Sequence, residues 1–350
     1  DQRFAIKTCV TAQHREMLDQ VLDFFGITPD FDLNIMKSNQ TIYDVTSRIL
    51  LGTKDVIEEF SPHYILVHGD TTTSMASSIA AFYQQIKIGH VEAGLRTNNL
   101  YSPFPEEANR QIISVLSDIN FVPTIESKTN LIKENKTNIH VTGNTVIDAL
   151  LFTIKKFKED KLLEEKAIKI IEKEYKFYAN RKIILVTGHR RENFGDGFIN
   201  ICNALKDIAS NNKDVDIVYP VHLNPNVRGP VNSLLVGIKN IYLIEPLAYD
   251  NFIYLMQKSY IIITDSGGIQ EEAPAIGKPV LVMRDTSERP EAISAGTAKL
   301  VGTNIKNIVK ECEQLICNEE SYKEMSMAHN PYGDGFASQK IIEAIYNDYQ

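Results

Sequence analysis

Two carboxylates close consecutive apolar runs early in the chain: Asp70 ends ILVHGD (65–70) and Glu92 ends KIGHVE (87–92). β-Branched runs of this length read as strands, and residues at the ends of neighbouring parallel strands project to the same side of a sheet. Paired in this way, one carboxylate can accept a proton while another donates one. Asp70 also precedes Thr71-Thr72-Thr73 and a helical pattern, so helix capping is the alternative reading for it. Glu92 runs into Ala93-Gly94 and the basic Arg96, which offers no comparable structural explanation. A third carboxylate, Glu106 in PFPEEANR (103–110), shares an i,i+4 face with Arg110. That pair is either a surface ion pair or an acid held over a site by its arginine.

The clearest anion signal is Asp265-Ser266-Gly267-Gly268, which ends a very apolar run and leads into a helical segment. Backbone N–H groups at a helix start, uncovered at two glycines, favour phosphate; a plain strand-to-helix turn is the alternative. Glu272 follows within the first helical turns, where it could meet ribose hydroxyls or merely complement the helix dipole. Arg289, in TSERPE (286–291), could supply a cation to a diphosphate or lie on the surface. His189 closes KIILVTGH (182–189) ahead of Arg190-Arg191-Glu192, a position from which an imidazole can bond or protonate a phosphate. His222 ends DIVYPVH (216–222), while His68 and His90, beside Asp70 and Glu92, read as supports. The sequence has no GxxxxGK[ST], HExxH or GxSxG motif, and the YxxxK pair Tyr254 and Lys258 has no GxGxxG turn ahead of it.

The elements that must position these residues follow an α/β rhythm. Short β-branched runs alternate with helical segments up to IHVTGN (139–144), and the alternation resumes at KIILVTGH. Between them lies a Lys/Glu-rich helical stretch (150–178) with no strand, so two Rossmann-like domains are expected, 1–150 and 151–335. A strand is expected over 4–10 and a final helix over 337–349, after the turn-forming NPYGDG (330–335). At 350 residues two cores are the norm, and a net charge of −8 argues against a general nucleic-acid binder. The four cysteines have no metal-site or disulfide-framework spacing, and no run approaches the length of a membrane span, so a cytoplasmic protein is expected.

Taken in order, TAQHREM, HGDTTT, GHVEAGLRT, YSPFPEEANR, TGHRREN, VHLNPNV, TDSGGIQEEAP, RPEA and NPYGDG resemble the non-hydrolysing UDP-N-acetylglucosamine 2-epimerases, from about Thr11 to the C-terminus. The resemblance implies a glycosyltransferase-B-like α/β fold, two Rossmann-like domains facing across a cleft, with helix 336–350 returning to the first domain. It implies that Ser266, Gly267 and Gly268 bind the diphosphate, Glu272 the ribose and Phe252 the uracil through its backbone. Arg289 and His189 complete the nucleotide site. Asp70, Glu92 and Glu106 would manage the C2 proton, with Arg110 orienting or neutralising one of them. The implied reaction is reversible C2 epimerisation of UDP-N-acetylglucosamine without cofactor or metal, in a homodimer that contacts neither nucleic acid nor membrane. Gln13, His14 and His222 are candidate regulatory residues by the same resemblance. The family's first strand and GTRPE loop have no counterpart in the sequence, so the chain is expected to begin within the fold. A hydrolysing relative, a glycosyltransferase and a non-catalytic nucleotide-sugar sensor are the competing readings.

Overall fold

The structure, a computed structural model, describes residues 1–12, 15–37 and 39–350. The chain divides into two compact units, Asp1–Thr145 with Phe336–Gln350, and Val146–Gly335. Both are α/β, and among the described residues every strand pairing is parallel.

In the first unit, β1 (Cys9–Val10) pairs with β2 (Phe31–Asp32). The strand expected over 4–10 is therefore confined to its last two residues. Ahead of Cys9 the tie is to the residues before β2: the Thr8 N–H and the Lys7 ammonium both donate to the Asp30 carboxylate at 2.8 Å, and the Thr8 carbonyl accepts the Asp30 and Phe31 N–H groups at 2.8 and 3.1 Å. Strands β3 (Tyr64–His68), β4 (Lys87–Val91), β5 (Ile119–Val122) and β6 (Ile139–Val141) follow one another across a four-stranded sheet. The helix Ile42–Phe60 starts at a reciprocal cap between Thr41 and Asp44 and buries Ile57 against Val67, Ala80, Ile88 and Ile113. The C-terminal helix Ala337–Tyr349 belongs to this unit, laying Ile341, Ala344 and Ile345 on Ile119 and Phe121. Asp348 fastens its end by accepting from Lys87 at 2.8 Å, from the Tyr64 hydroxyl and from Asn138 at 2.9 Å. The Lys87 and Tyr64 bonds hold the Asp348 carboxyl down at about 2.

The second unit holds β7 (Lys182–Thr187), β8 (Val215–Pro220), β9 (Ile241–Ile244), β10 (Ile261–Thr264), β11 (Val280–Val282) and β12 (Ala298–Leu300). Their order across the sheet is β9-β8-β7-β10-β11-β12, so the winding reverses direction between β7 and β10. All four residues of β10 are buried, as expected of a strand covered on both faces. One face packs Ile184, Ile217 and Ile263 against Ile201 and Leu205 of the helix Asp196–Asn211. The other packs Leu185, Val218 and Ile262 against Phe157 and Tyr254. In a sheet of this order the ligand crevice lies outside the strand ends at the reversal point, here the ends of β7 and β10.

Gly94 tests how firmly the turn after β4 is held. Its φ is 88°, and a Cβ there would lie 2.4 Å from the Ser127 carbonyl oxygen. Gly94→Ala is expected to cost at least about 2 kcal/mol, read as a lower urea midpoint. An unchanged midpoint would show that the turn is pliable.

Candidate functional site

At the end of β3 the chain turns through Gly69, whose N–H donates to the Val91 carbonyl at 2.9 Å and so ties the turn to β4. The helix Thr72–Tyr83 that follows is capped by the Thr71 hydroxyl, which accepts the Ser74 N–H at 3.2 Å. Capping therefore falls to Thr71, and the Asp70 carboxylate is left to pair with Arg110 Nη2 at 2.7 Å. Asn109 Nδ2 fixes the Asp70 carbonyl at 2.9 Å. Glu92 follows β4 with a φ of 63°, a left-handed conformation that costs a non-glycine residue of the order of 1 kcal/mol. Its carboxylate lies 3.9 Å from His68 Nδ1 and accepts from Asn144 Nδ2 at 3.5 Å. A Cβ on Gly69 would stand 3.0 Å from Glu92 Oε2, so glycine is what lets this carboxylate lie over the turn. Beneath both, His90 is fully buried and its Nε2–H donates to the Gly69 carbonyl at 2.8 Å. Burial drives the His90 pKa down to about 4, so the ring is a neutral strap.

Arg110 is not paired with Glu106, as its spacing suggested. Its partners are Asp70 and, at 3.0 Å, the adjacent Glu107. Glu106 opens the helix Glu106–Leu116 half-buried, whereas Glu107 is fully buried. The reason is the turn at 97–98, whose Thr97 and Asn98 N–H groups both donate to Glu107 and draw it, with Arg110, inward. Burial alone would raise the Glu107 carboxyl, but the Thr97 amide, Gln111, Arg110 and the Asn98 amide outweigh it and hold it below the usual range.

In the second unit Asp265, fully buried, follows β10 and accepts the His189 and Arg190 N–H groups, each at 2.9 Å, and Asn193 Nδ2 at 3.3 Å. It thereby fastens the loop after β7 to the start of the helix Gly267–Ala275. Ser266 stands at the cap of that helix without a side-chain capping bond. Around Gly267, a Cβ would lie 3.8 Å from Arg190 Nη2 and from Glu288 Oε2, and 3.9 Å from Arg289 Cζ. Arg289 pairs with Glu271, and Arg190 with Glu288 at 3.5 Å. Arg284, only 5 % exposed, joins Glu192 at 2.6 Å to Glu288 at 3.3 Å. An anion at this helix start would thus meet open N–H groups flanked by two guanidiniums. Arg190 and Arg284 were not singled out from sequence; the doubled arginine in TGHRREN was the available signal for the first.

The His189 ring stacks on His222, centroids 5.6 Å apart, with its Nδ1 3.4 Å from Asp265. Desolvation lowers the His189 pKa and Asp265 opposes it, the first winning. Glu272 lies deeper in the same unit. Burial, and then the neighbouring Glu271 charge, push its carboxyl up to about 8. Phe252 is half-buried in the helix Tyr249–Lys258, packed in the cluster that includes Ile269. Its N–H is already donated to the Ala248 carbonyl at 2.9 Å, which leaves no free backbone donor there for a base. Gln13 and His14 lie outside the described residues. Among the described residues no group of three or more His, Cys, Asp or Glu is placed to hold a metal ion.

The profile of the family described as UDP-N-acetylglucosamine 2-epimerase matches residues 1–346. The chain belongs to this family. A Campylobacter jejuni UDP-N-acetylglucosamine 2-epimerase is 62% identical over 341 residues, covering 97% of this chain and 89% of the relative. The Escherichia coli (strain K12) protein of the same name is 57% identical over 352 residues, covering 99% and 92%. Among solved structures, a Neisseria meningitidis UDP-GlcNAc 2-epimerase bound to UDP-GlcNAc superposes with a TM-score of 0.89 at 52% identity, covering 99% of this chain and 94% of that one. The α/β class with two Rossmann-like domains, expected from the sequence, is the fold of these epimerases.

The position of Glu272 in this epimerase gives a pH-dependent expectation. An acid whose folded pKa exceeds its unfolded value destabilises the fold as pH rises, because the unfolded chain ionises first. For Glu272 the penalty is absent below about 4.5 and grows up to about 8. Glu272→Gln should match the ligand-free wild type in Tm at the acid end of that interval and exceed it above pH 8 by several degrees. Parallel Tm profiles for the two proteins would contradict this.

Proposed function

We propose that this protein reversibly inverts C2 of UDP-N-acetylglucosamine, giving UDP-N-acetylmannosamine by elimination and re-addition of UDP. The observation that carries the reading is the pair Asp70 and Glu92 at neighbouring strand ends of a chain in this family, Asp70 already held by Arg110 at 2.7 Å. Support comes also from the relatives, which are named for this epimerisation, one of them solved with UDP-GlcNAc bound.

The chemistry explains why carboxylates and a diphosphate site are needed together. A C2–H beside an acetal carbon is a very weak acid. Breaking the C1–O bond sends its electron pair to the UDP phosphate and leaves positive charge at C1, which acidifies C2–H. A carboxylate then takes the proton, and the C–H electrons form the C1=C2 bond of a glycal-like alkene. Protonation of C2 from the opposite face, with return of the phosphate oxygen to C1, gives the manno epimer with no atom gained or lost.

In this reading Asp70, Glu92 and Glu106 remove and return the proton, and Arg110 orients Asp70. The Gly267 and Gly268 amides and the Ser266 hydroxyl, with Arg289, stabilise the departing diphosphate, where fixed donors act most strongly on developing charge; the Ser266 N–H itself is donated to Thr264 Oγ1 at 2.9 Å. His189, neutral near pH 7 by its lowered pKa, accepts or donates one hydrogen bond at the phosphate. Glu272 holds the ribose, and Phe252 borders the uracil by its ring or its carbonyl. The same reading makes the enzyme a homodimer of the cytoplasm, where thiols such as the free Cys9 and Cys317 stay reduced.

Product NMR tests the proposal. UDP-N-acetylmannosamine is expected at equilibrium with the substrate and without stoichiometric free UDP. Asp70→Asn and Glu92→Gln are each expected to lower turnover by about 10²- to 10⁴-fold with UDP affinity retained. Free N-acetylmannosamine released with UDP would mark a hydrolase, and binding without turnover a sensor.

A further inference from the structure

Glu107 is a buried carboxylate bonded toward two of the three residues assigned to the proton, Asp70 and Glu92. Its Oε2 accepts the Thr97 N–H and Arg110 Nη1, both at 3.0 Å, and its Oε1 accepts the Asn98 N–H and Gln111 Nε2, both at 3.1 Å. On one side this chain of bonds continues through Arg110 to the Asp70 carboxylate at 2.7 Å. On the other it pins the segment that leaves β4 through Glu92, Ala93 and Gly94, with Asn98 itself left-handed at a φ of 60°. Arg96, whose side chain is 2 % exposed, braces the same segment on Glu134 at 2.6 Å and on Ser114 at 2.8 Å. The side chain is fully enclosed, so Glu107 cannot touch a substrate.

We propose that Glu107 is a positioning residue for the epimerisation: one buried carboxylate sets Asp70 through Arg110 and sets Glu92 through the amides of Thr97 and Asn98. Arg110 Nε is buried without a hydrogen-bond partner, so the guanidinium is oriented by its two terminal nitrogens, one on each carboxylate. Removing either carboxylate leaves the arginine free to rotate away from the other. The inference rests on the epimerase reading, because what is positioned is two of the carboxylates assigned there to the C2 proton.

The substitution Glu107→Gln keeps shape and volume but turns one acceptor oxygen into a donor, so the backbone N–H of Thr97 or Asn98 that faces it loses its acceptor. The test is a double-mutant cycle on kcat with Glu107→Gln, Arg110→Gln and the double variant. Each single change is expected to lower kcat by about 10- to 100-fold, the cost of misplacing a catalytic group by an ångström. KM for UDP-N-acetylglucosamine should stay within about threefold, and the double variant should be no slower than the worse single one. Losses that multiply, a Glu107→Gln kcat near the wild-type value, or a loss confined to KM would each overturn the inference. Should Glu107→Gln fail to fold, Arg110→Lys carries the test, since a single ammonium cannot hold both carboxylates in the forked geometry. A folded Arg110→Lys with wild-type kcat overturns the inference. Wild-type turnover is measured first: its absence would defeat the epimerase reading, whereas multiplicative losses in an active enzyme defeat only the role of Glu107.

Discussion

A carboxylate taken out of water must be given donors in its place, and both units use that requirement to fasten the loop that carries the candidate site. In the first, Glu107 is fully enclosed and collects the Thr97 and Asn98 amides, Gln111 and Arg110. In the second, Asp265 is fully enclosed and collects the His189 and Arg190 amides and Asn193. An ionised group left short of such donors would cost several kcal/mol, so each loop is held by the penalty of letting go. The functional side chains then inherit their positions. Asp70 is set by Arg110, and His189 and the helix start at Gly267 are set by Asp265.

The parallel sheets explain why these loops lie where they do. A parallel strand delivers its carboxyl end and the following helix start to one edge, so donors accumulate there. In the second unit the winding reverses between β7 and β10, which are neighbours in the sheet though separated by two strands in sequence. That is the place where Asp265 reaches back to the residues after β7. In the first unit the Gly69 N–H donates directly to Val91, so the turns bearing Asp70 and Glu92 are tied to each other.

Much of this was legible in the sequence because it depends on local pattern. The runs at 87–92 and 182–189 contain β4 and β7, the run at 65–70 covers all of β3 but its first residue, and the apolar run ahead of Asp265 is β10. The motifs between them carried enough order to give the family. What was not legible depends on which atoms meet. Glu106 and Arg110 have ion-pair spacing, yet the 97–98 turn recruits Glu107 instead, and no helical period shows that turn. Asp70 and Thr71 both suit a helix cap, and only the geometry assigns the cap to Thr71. The strand expected over 4–10 shrank to two residues because Asp30 takes the Thr8 amide, a contact made 22 positions away. Strands β2 and β12 span two and three residues and are too short for any periodicity to register. Arg190 and Arg284 form their ion pairs at long sequence separation or around a turn, beyond what spacing conveys.

In the proposed reaction carboxylates of this chain break and remake the C2–H bond. The most direct measurement is incorporation of solvent deuterium at C2, followed by NMR with UDP-N-acetylglucosamine in D₂O. One deuterium is expected at C2 of the UDP-N-acetylmannosamine formed by the wild type, and none with Asp70→Asn or Glu92→Gln beyond a trace. Inversion that retained the original C2 hydrogen, or exchange at the wild-type rate in both variants, would contradict it.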